Sequence, residues 1–95
     1  MMQKAQDSAE TLALQVLGWL VGDEDLMPVF QGSTGVSEAD IRARADDPLF
    51  LGAVLDFLMM DDAWVIRFCD AHTIPYERIM QARAALPGGE QVNWT

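Results

Sequence analysis

Apolar residues recur every three or four positions through most of this chain, and strict alternation of apolar and polar residues is almost absent. That spacing is typical of amphipathic helices and not of strands. Together with the helix start and stop signals described below, it predicts an all-α compact bundle of five to six short helices. The predicted helices cover about residues 8–21, 23 to either Gly32 or Gly35, 37–45, 48–60, 61–71 and 75–86.

Several of these helices begin at a recognisable polar signal. Ser37 and Asp40 are spaced to form a capping box, and Val36 and Ile41 flank them as a hydrophobic staple. Asp47-Pro48 supplies a cap followed by a first-turn proline. Acidic clusters at 23–25, 46–47 and 61–62 also fall at predicted helix starts, where carboxylates are stabilised by free amides and by the helix dipole.

The first and fourth predicted helices are apolar on nearly every side, so we expect them to pack on each other at the centre of the bundle. Both contain an interior glycine, Gly18 and Gly52. Glycine weakens a helix interior by about 1 kcal/mol relative to alanine. We therefore interpret both glycines as sites of close helix approach.

A comparison of the chain with itself at an offset of 38 residues aligns Val16 with Val54, Phe30 with Phe68, and other apolar and acidic positions. This register indicates two pseudo-symmetric three-helix units, at 8–45 and 46–85, within one helical domain at 8–89. Residues 1–7 are then an N-terminal extension, and 90–95 form a C-terminal tail. Coincidence between helical periods is the alternative explanation.

The composition restricts the possible partners. The 95 residues, enough for one modest core, carry 15 acids and 6 bases, a net charge of −9. Because the bases are dispersed, we expect no nucleic-acid binding, whereas a basic protein partner is allowed. The uncharged stretch at 11–22 is shorter than a membrane span, and no signal peptide is recognisable, so we expect no membrane association. The single cysteine agrees with a cytoplasmic location.

Five segments resemble those of a known protein family: Glu10-Thr11-Leu12-Ala13-Leu14, Leu17-Gly18-Trp19-Leu20, Gly22-Asp23-Glu24, Ile41-Arg42-Ala43-Arg44 and 82–89. Over nearly its whole length the chain resembles the DUF3572 family, small uncharacterised bacterial proteins found chiefly in alphaproteobacteria. The resemblance implies a stand-alone helical cytoplasmic protein. It implies no activity and assigns no catalytic or binding residue.

Cys69 and His72 form the one pattern that suggests site chemistry. Three residues apart on a helix, they share a face and are spaced to form a thiolate–imidazole pair or two ligands of a soft metal. A structural role is favoured, because Cys69 lies on the apolar stripe of its helix, His72 suits the helix end, and no second cysteine or histidine completes a zinc site. We therefore predict no catalytic residue, no metal site and no cofactor.

A possible interface comes from large apolar residues. Large apolar side chains of this type form adaptable binding surfaces in some proteins, although they more often fill the core. The candidates here are Met59, Met60, Trp64 and Met27. Trp94 is the only anchor in the tail. Arg42, Arg44 and Arg83 either pair with surplus acids, dock an acidic ligand or form a solvated face.

These observations favour a small non-enzymatic protein that acts through protein–protein interaction, with an unknown partner or as a homodimer, through an apolar seam edged by acids. One alternative is a small-ligand, metal-binding or thiol-dependent protein that uses Cys69 and His72. A second alternative is an acidic decoy that occupies a nucleic-acid-binding protein, which predicts salt-sensitive binding to a basic partner.

Overall fold

The structure, a computed structural model, describes the backbone of residues 2–88 and the side chains of residues 5–88. Within that range the chain forms six α-helices and no strand, which confirms the predicted all-α bundle. The helices are α1 (Met2–Val21), α2 (Leu26–Thr34), α3 (Glu38–Arg44), α4 (Pro48–Leu58), α5 (Asp62–His72) and α6 (Glu77–Ala85).

Helix α1 organises the bundle, since it packs extensively on both α4 and α6 and also contacts α2. The pairing of α1 with α4 at the centre is the predicted one. The equally extensive contact with α6 was not predicted. Helix α6 is rich in charged and small residues, but Ile79, Ala82 and Leu86, the last just beyond its end, are spaced along one face and are all buried.

Acidic and hydroxyl side chains begin the helices by the mechanism that the sequence predicts. Ser37 and Asp40 form both bonds of the capping box at the start of α3. Asp47 and Asp61 accept from backbone N–H groups two residues further along, in the first turns of α4 and α5. At α2 the capping carboxylate is that of Asp23, which accepts from the next two free amides.

The predicted start of the first helix at Asp7-Ser8 is wrong, because α1 already begins at Met2. Most of the predicted extension at 1–7 is therefore helical. The cause is the absence of glycine and proline before residue 8, so helix propensity continues without a break. Contacts four residues apart cross the expected boundary: Gln6 donates to the Glu10 carboxylate, and the Thr11 hydroxyl donates to the Asp7 carbonyl.

The two interior glycines differ in their surroundings. Gly52 is buried, and a Cβ placed there would lie 2.9 Å from Nη1 of Arg83 and 3.3 Å from the Pro87 carbonyl oxygen. Gly18 is exposed, and a Cβ there would meet no atom within 4 Å. At Gly52 the space of a Cβ is taken by the Arg83 side chain and by the Pro87 carbonyl, which lies beyond α6, and not by the backbone of another helix. The predicted close approach is wrong at Gly18, which lies on the outer side of α1.

Positions 38 residues apart share local structure. Gly35 and Thr73 end α2 and α5 in the left-handed conformation, with φ of 75° and 55°, and their N–H groups bond to the carbonyls of Gln31 and Cys69. Phe30 and Phe68, one in each half, are both fully buried. Of the three pairs of corresponding helices, α2 and α5 therefore end at matching positions, whereas α3 and α6 do not, and the internal repeat itself stays a prediction.

Candidate functional site

A surface recess with a mainly apolar lining lies between α5 and α6, next to the end of α4. We name it the methionine groove; Met59, Val65, Tyr76, Ile79 and Met80 form its apolar lining, and Asp62 and Glu77 complete it. Its volume is about 610 Å³. The recess exists because α5 packs mainly on α4, whereas α6 packs mainly on α1 and α4, so α5 and α6 contact each other little.

The lining of the methionine groove ranges from buried to exposed. Ile79 is fully buried and belongs to the core, whereas Met80 is 66% exposed and Tyr76 48% exposed. Met59 and Val65 are half-buried and pack against the core from the other side. Tyr76 and Met80 stand four residues apart at the start of α6 and so lie on the same face of that helix. The groove thus presents apolar side chains that the described part of the chain leaves uncovered.

Acidic groups accompany this apolar lining. Asp62 is in the first turn of α5 and Glu77 in the first turn of α6, and none of the described residues that line the groove is basic. The Tyr76 hydroxyl donates to the Asp70 carboxylate at 2.8 Å, which fixes the ring. That hydrogen bond, with smaller contributions from burial and nearby negative charge, raises the pKa of Tyr76. The phenol therefore stays neutral and serves as a positioned apolar surface.

The predicted interface residues take different positions. Met59 lines the groove, while Met60 is 69% exposed but is not among its lining residues. Trp64 is half-buried and stacks on Phe57 with ring centroids 4.8 Å apart, so it mainly extends the core. Trp94 lies outside the described residues.

Tyr76, Ile79 and Met80 are groove residues that sequence reasoning missed. The sequence does carry a signal for them, because Ile79 and Met80 follow Tyr76 by three and four positions, the spacing of one helix face. Met27, the other methionine considered for a surface, packs against the core.

Cys69 and His72 make separate contacts in the bundle. Cys69 is 1% exposed, and burial, reinforced by the nearby Asp70 charge, raises the pKa of its thiol. The ring of His72 instead stacks on Phe68 at 4.3 Å, and its Nδ1 bonds to the Phe68 carbonyl. A protonated buried thiol is a poor nucleophile and a poor ligand. Among the described residues, no three His, Cys, Asp or Glu side chains are grouped to hold a metal.

Arginines join distant parts of the chain through two ion pairs. Arg67 of α5 bonds to Asp23 at 2.8 Å and lies over the Trp19 ring. The pKa of Asp23 is lowered, first by the Leu26 N–H that it accepts and to a smaller extent by Arg67. Arg83 donates hydrogen bonds from Nε and Nη2 to the Asp56 carboxylate and from Nη1 to the Pro87 carbonyl oxygen. Arg83 thus pairs with a surplus acid, as one of the predicted alternatives states.

A family model described as "Protein of unknown function (DUF3572)" matches residues 6–89. Comparison with the curated proteins found no match, and comparison with the solved structures found none either. Among the described residues, no helix combines the length and the apolar character that crossing a bilayer requires.

Proposed function

This chain belongs to the DUF3572 family, and we propose that it is a non-enzymatic interaction protein whose methionine groove binds an amphipathic helix of another protein. The partner helix places its apolar residues in the groove and carries basic residues at the edges. The observation that carries this proposal is the uncovered apolar lining beside Asp62 and Glu77.

The side chains of the groove suit a helical partner. Amphipathic helices bind in hydrophobic grooves through anchors at helical spacing, and methionine adapts its shape to different anchors. Met80 is two-thirds exposed, and Met59 forms part of the opposite side. Burying one such side chain at an interface contributes about 1.5–3 kcal/mol. The groove therefore offers a partner apolar surface that the described residues do not cover.

Charge selects the kind of partner. The chain has a net charge of −9, and the acids of the groove lie where a partner would approach. A second copy would bring the same acids and the same net charge into the interface, which favours a basic partner over a homodimer. The proposal also predicts that binding weakens as salt is added, because exposed charges are screened.

Fluorescence anisotropy with two labelled model helices tests the proposal. One helix carries leucine on one face and lysine on the other, and its counterpart carries leucine and glutamate. We expect the lysine helix to bind and the glutamate helix not to bind. Met80→Gln should weaken the lysine helix about tenfold, since about 1.4 kcal/mol corresponds to a factor of ten.

Leu49→Gln is the matched control. Leu49, at 62% exposed, is an equally exposed apolar residue on α4 outside the groove. We expect this variant to leave the affinity unchanged. Equal binding of both helices, or equal effects of the two substitutions, would contradict the proposal.

The alternative functions have less support. The protonated, buried thiol of Cys69 does not favour thiol-dependent chemistry. The acidic-decoy alternative depends on a continuous acidic surface, whereas many of the acids here cap helix starts around the bundle. For location we propose the cytoplasm, where the single cysteine needs no disulfide partner.

A further inference from the structure

A second recess runs between α1 and α6, on a different face of α6 from the methionine groove. It consists of two cavities, of about 330 and 440 Å³, that share Ser8 and Arg78. We name the two together the α1–α6 groove. Ala9, Leu12 and Ala82 give it a buried apolar floor.

The charge of this groove is opposite in sign to that of the whole chain. Among the residues that the structure describes, no Asp or Glu lines either cavity. The methionine groove, the recess at the loop between α5 and α6, and the recess beside α3 each include at least one acid. The α1–α6 groove instead contains Arg78 and His72.

Arg78 has no carboxylate partner within the part of the chain that the structure describes. The two ion pairs found there use Arg67 and Arg83. Arg78 is exposed and stands where the two cavities meet, because both include it in their lining. A guanidinium presents several N–H donors in one plane and binds a carboxylate through two parallel hydrogen bonds. Its charge is therefore available to a ligand.

Polar groups beside Arg78 complete the surroundings. Ser8 is shared by both cavities, and its hydroxyl is able to donate to an oxyanion. The amide of Gln15 lines the second cavity. The ring of His72 is held in place by the Phe68 ring and carbonyl. These groups lie beside an apolar floor, so the groove combines anion recognition with an apolar contact surface.

We propose that the α1–α6 groove binds a small organic monocarboxylate. Its carboxylate bonds to Arg78 and Ser8, and its apolar body covers Ala9, Leu12 and Ala82. The proposed ligand has an apolar part because the side chains that form the floor of the groove are apolar. This site is separate from the methionine groove and does not depend on the function proposed for it.

Isothermal titration with benzoate tests this site, with benzyl alcohol as the neutral control of similar shape and inorganic phosphate as the anion without an apolar body. We expect benzoate to bind more tightly than either control. Arg78→Gln should weaken benzoate at least about tenfold, and Arg78→Lys should weaken it less, because lysine keeps the charge without the planar donors.

Arg42→Gln is the matched control, since Arg42 is an exposed arginine on α3 outside this groove. We expect benzoate affinity to be unchanged in this variant and also in Met80→Gln. Circular dichroism of each variant checks that it folds. The proposal is overturned by equal binding of benzoate and benzyl alcohol, by equal binding of phosphate, or by equal effects of Arg78→Gln and Arg42→Gln.

Discussion

Gly18 and Gly52 occupy interior positions of the two central helices, yet only Gly52 has neighbours where a side chain would be. The difference depends on which side of each helix faces the bundle. Gly52 faces Arg83 and Pro87, whereas Gly18 faces outward. The sequence predicted that both glycines allow close approach. The sequence could not distinguish the two glycines. Which side of a nearly all-apolar helix faces solvent depends on the helices that pack against it.

The two glycines give a paired stability prediction. Gly18→Ala should raise the free energy of unfolding by about 1 kcal/mol, because alanine favours the helix and meets nothing. Gly52→Ala should not give this gain, because the new methyl group would lie 2.9 Å from Nη1 of Arg83 and 3.3 Å from the Pro87 carbonyl oxygen, so these groups must shift. Urea unfolding of both variants measures the difference, and an equal gain in both would contradict the packing at Gly52.

Cys69 gives a prediction about pH. Because burial raises the pKa of its thiol above the ordinary 9.0, the folded chain holds this proton more tightly than the unfolded chain. The resulting stabilisation is complete below pH 9.0 and is lost as the pH rises towards the raised value. At pH 8 a thiol reagent should therefore modify the native protein much more slowly than the urea-unfolded protein. Equal rates would show that the thiol is exposed.

At the scale of elements, local signals predict helix starts well. Ser37 with Asp40 and Asp47 with Pro48 act through atoms only a few residues apart, so the sequence contains the whole interaction. The start of α1 was misplaced because Asp7 and Ser8 are good caps but nothing before them stops a helix. A cap residue is used only where the preceding residues leave the helical conformation.

The capping box of α3 gives a prediction at this scale. Ser37→Ala should lower the free energy of unfolding by about 1 kcal/mol, because the Asp40 N–H loses its acceptor. Ala39→Gly, at an exposed position in the same helix, controls for a general effect of helix propensity and should leave the capping bonds in place.

The same box affects Asp40. The Ser37 backbone N–H, then the Ser37 side chain, lower the pKa of Asp40 below its ordinary 3.8. Its contribution to stability is therefore present above pH 3.8 and is lost as the pH falls through the lowered value. In Ser37→Ala the backbone bond persists, so carboxyl NMR titration should show only a partial return of this pKa. An unchanged pKa would contradict a role of the Ser37 side chain.

At the scale of the whole molecule, the sequence predicted the fold class and the pairing of α1 with α4, because both helices are apolar on most sides. It did not predict the role of α6, whose buried residues are few and separated by charged and small ones. The sequence did not predict the methionine groove either, because the groove is formed where α5 and α6 contact each other little. Only Met59 of the predicted interface residues lines it.

The charge distribution predicts the state of assembly. A net charge of −9, with acids beside the apolar lining of the methionine groove, opposes association of two copies. Sedimentation velocity should therefore show a monomer at low salt. A dimer that is independent of salt would indicate that the apolar lining binds a second copy.

The most direct test of the central claim is to map the binding of the leucine–lysine helix by ¹H–¹⁵N NMR. We expect the amide shifts to concentrate at the end of α4, in the first turns of α5 and in the first half of α6, around Met59, Val65, Tyr76 and Met80. Shifts spread evenly over all the acidic helix starts, with none larger at these residues, would show a non-specific charge effect and would contradict the claim.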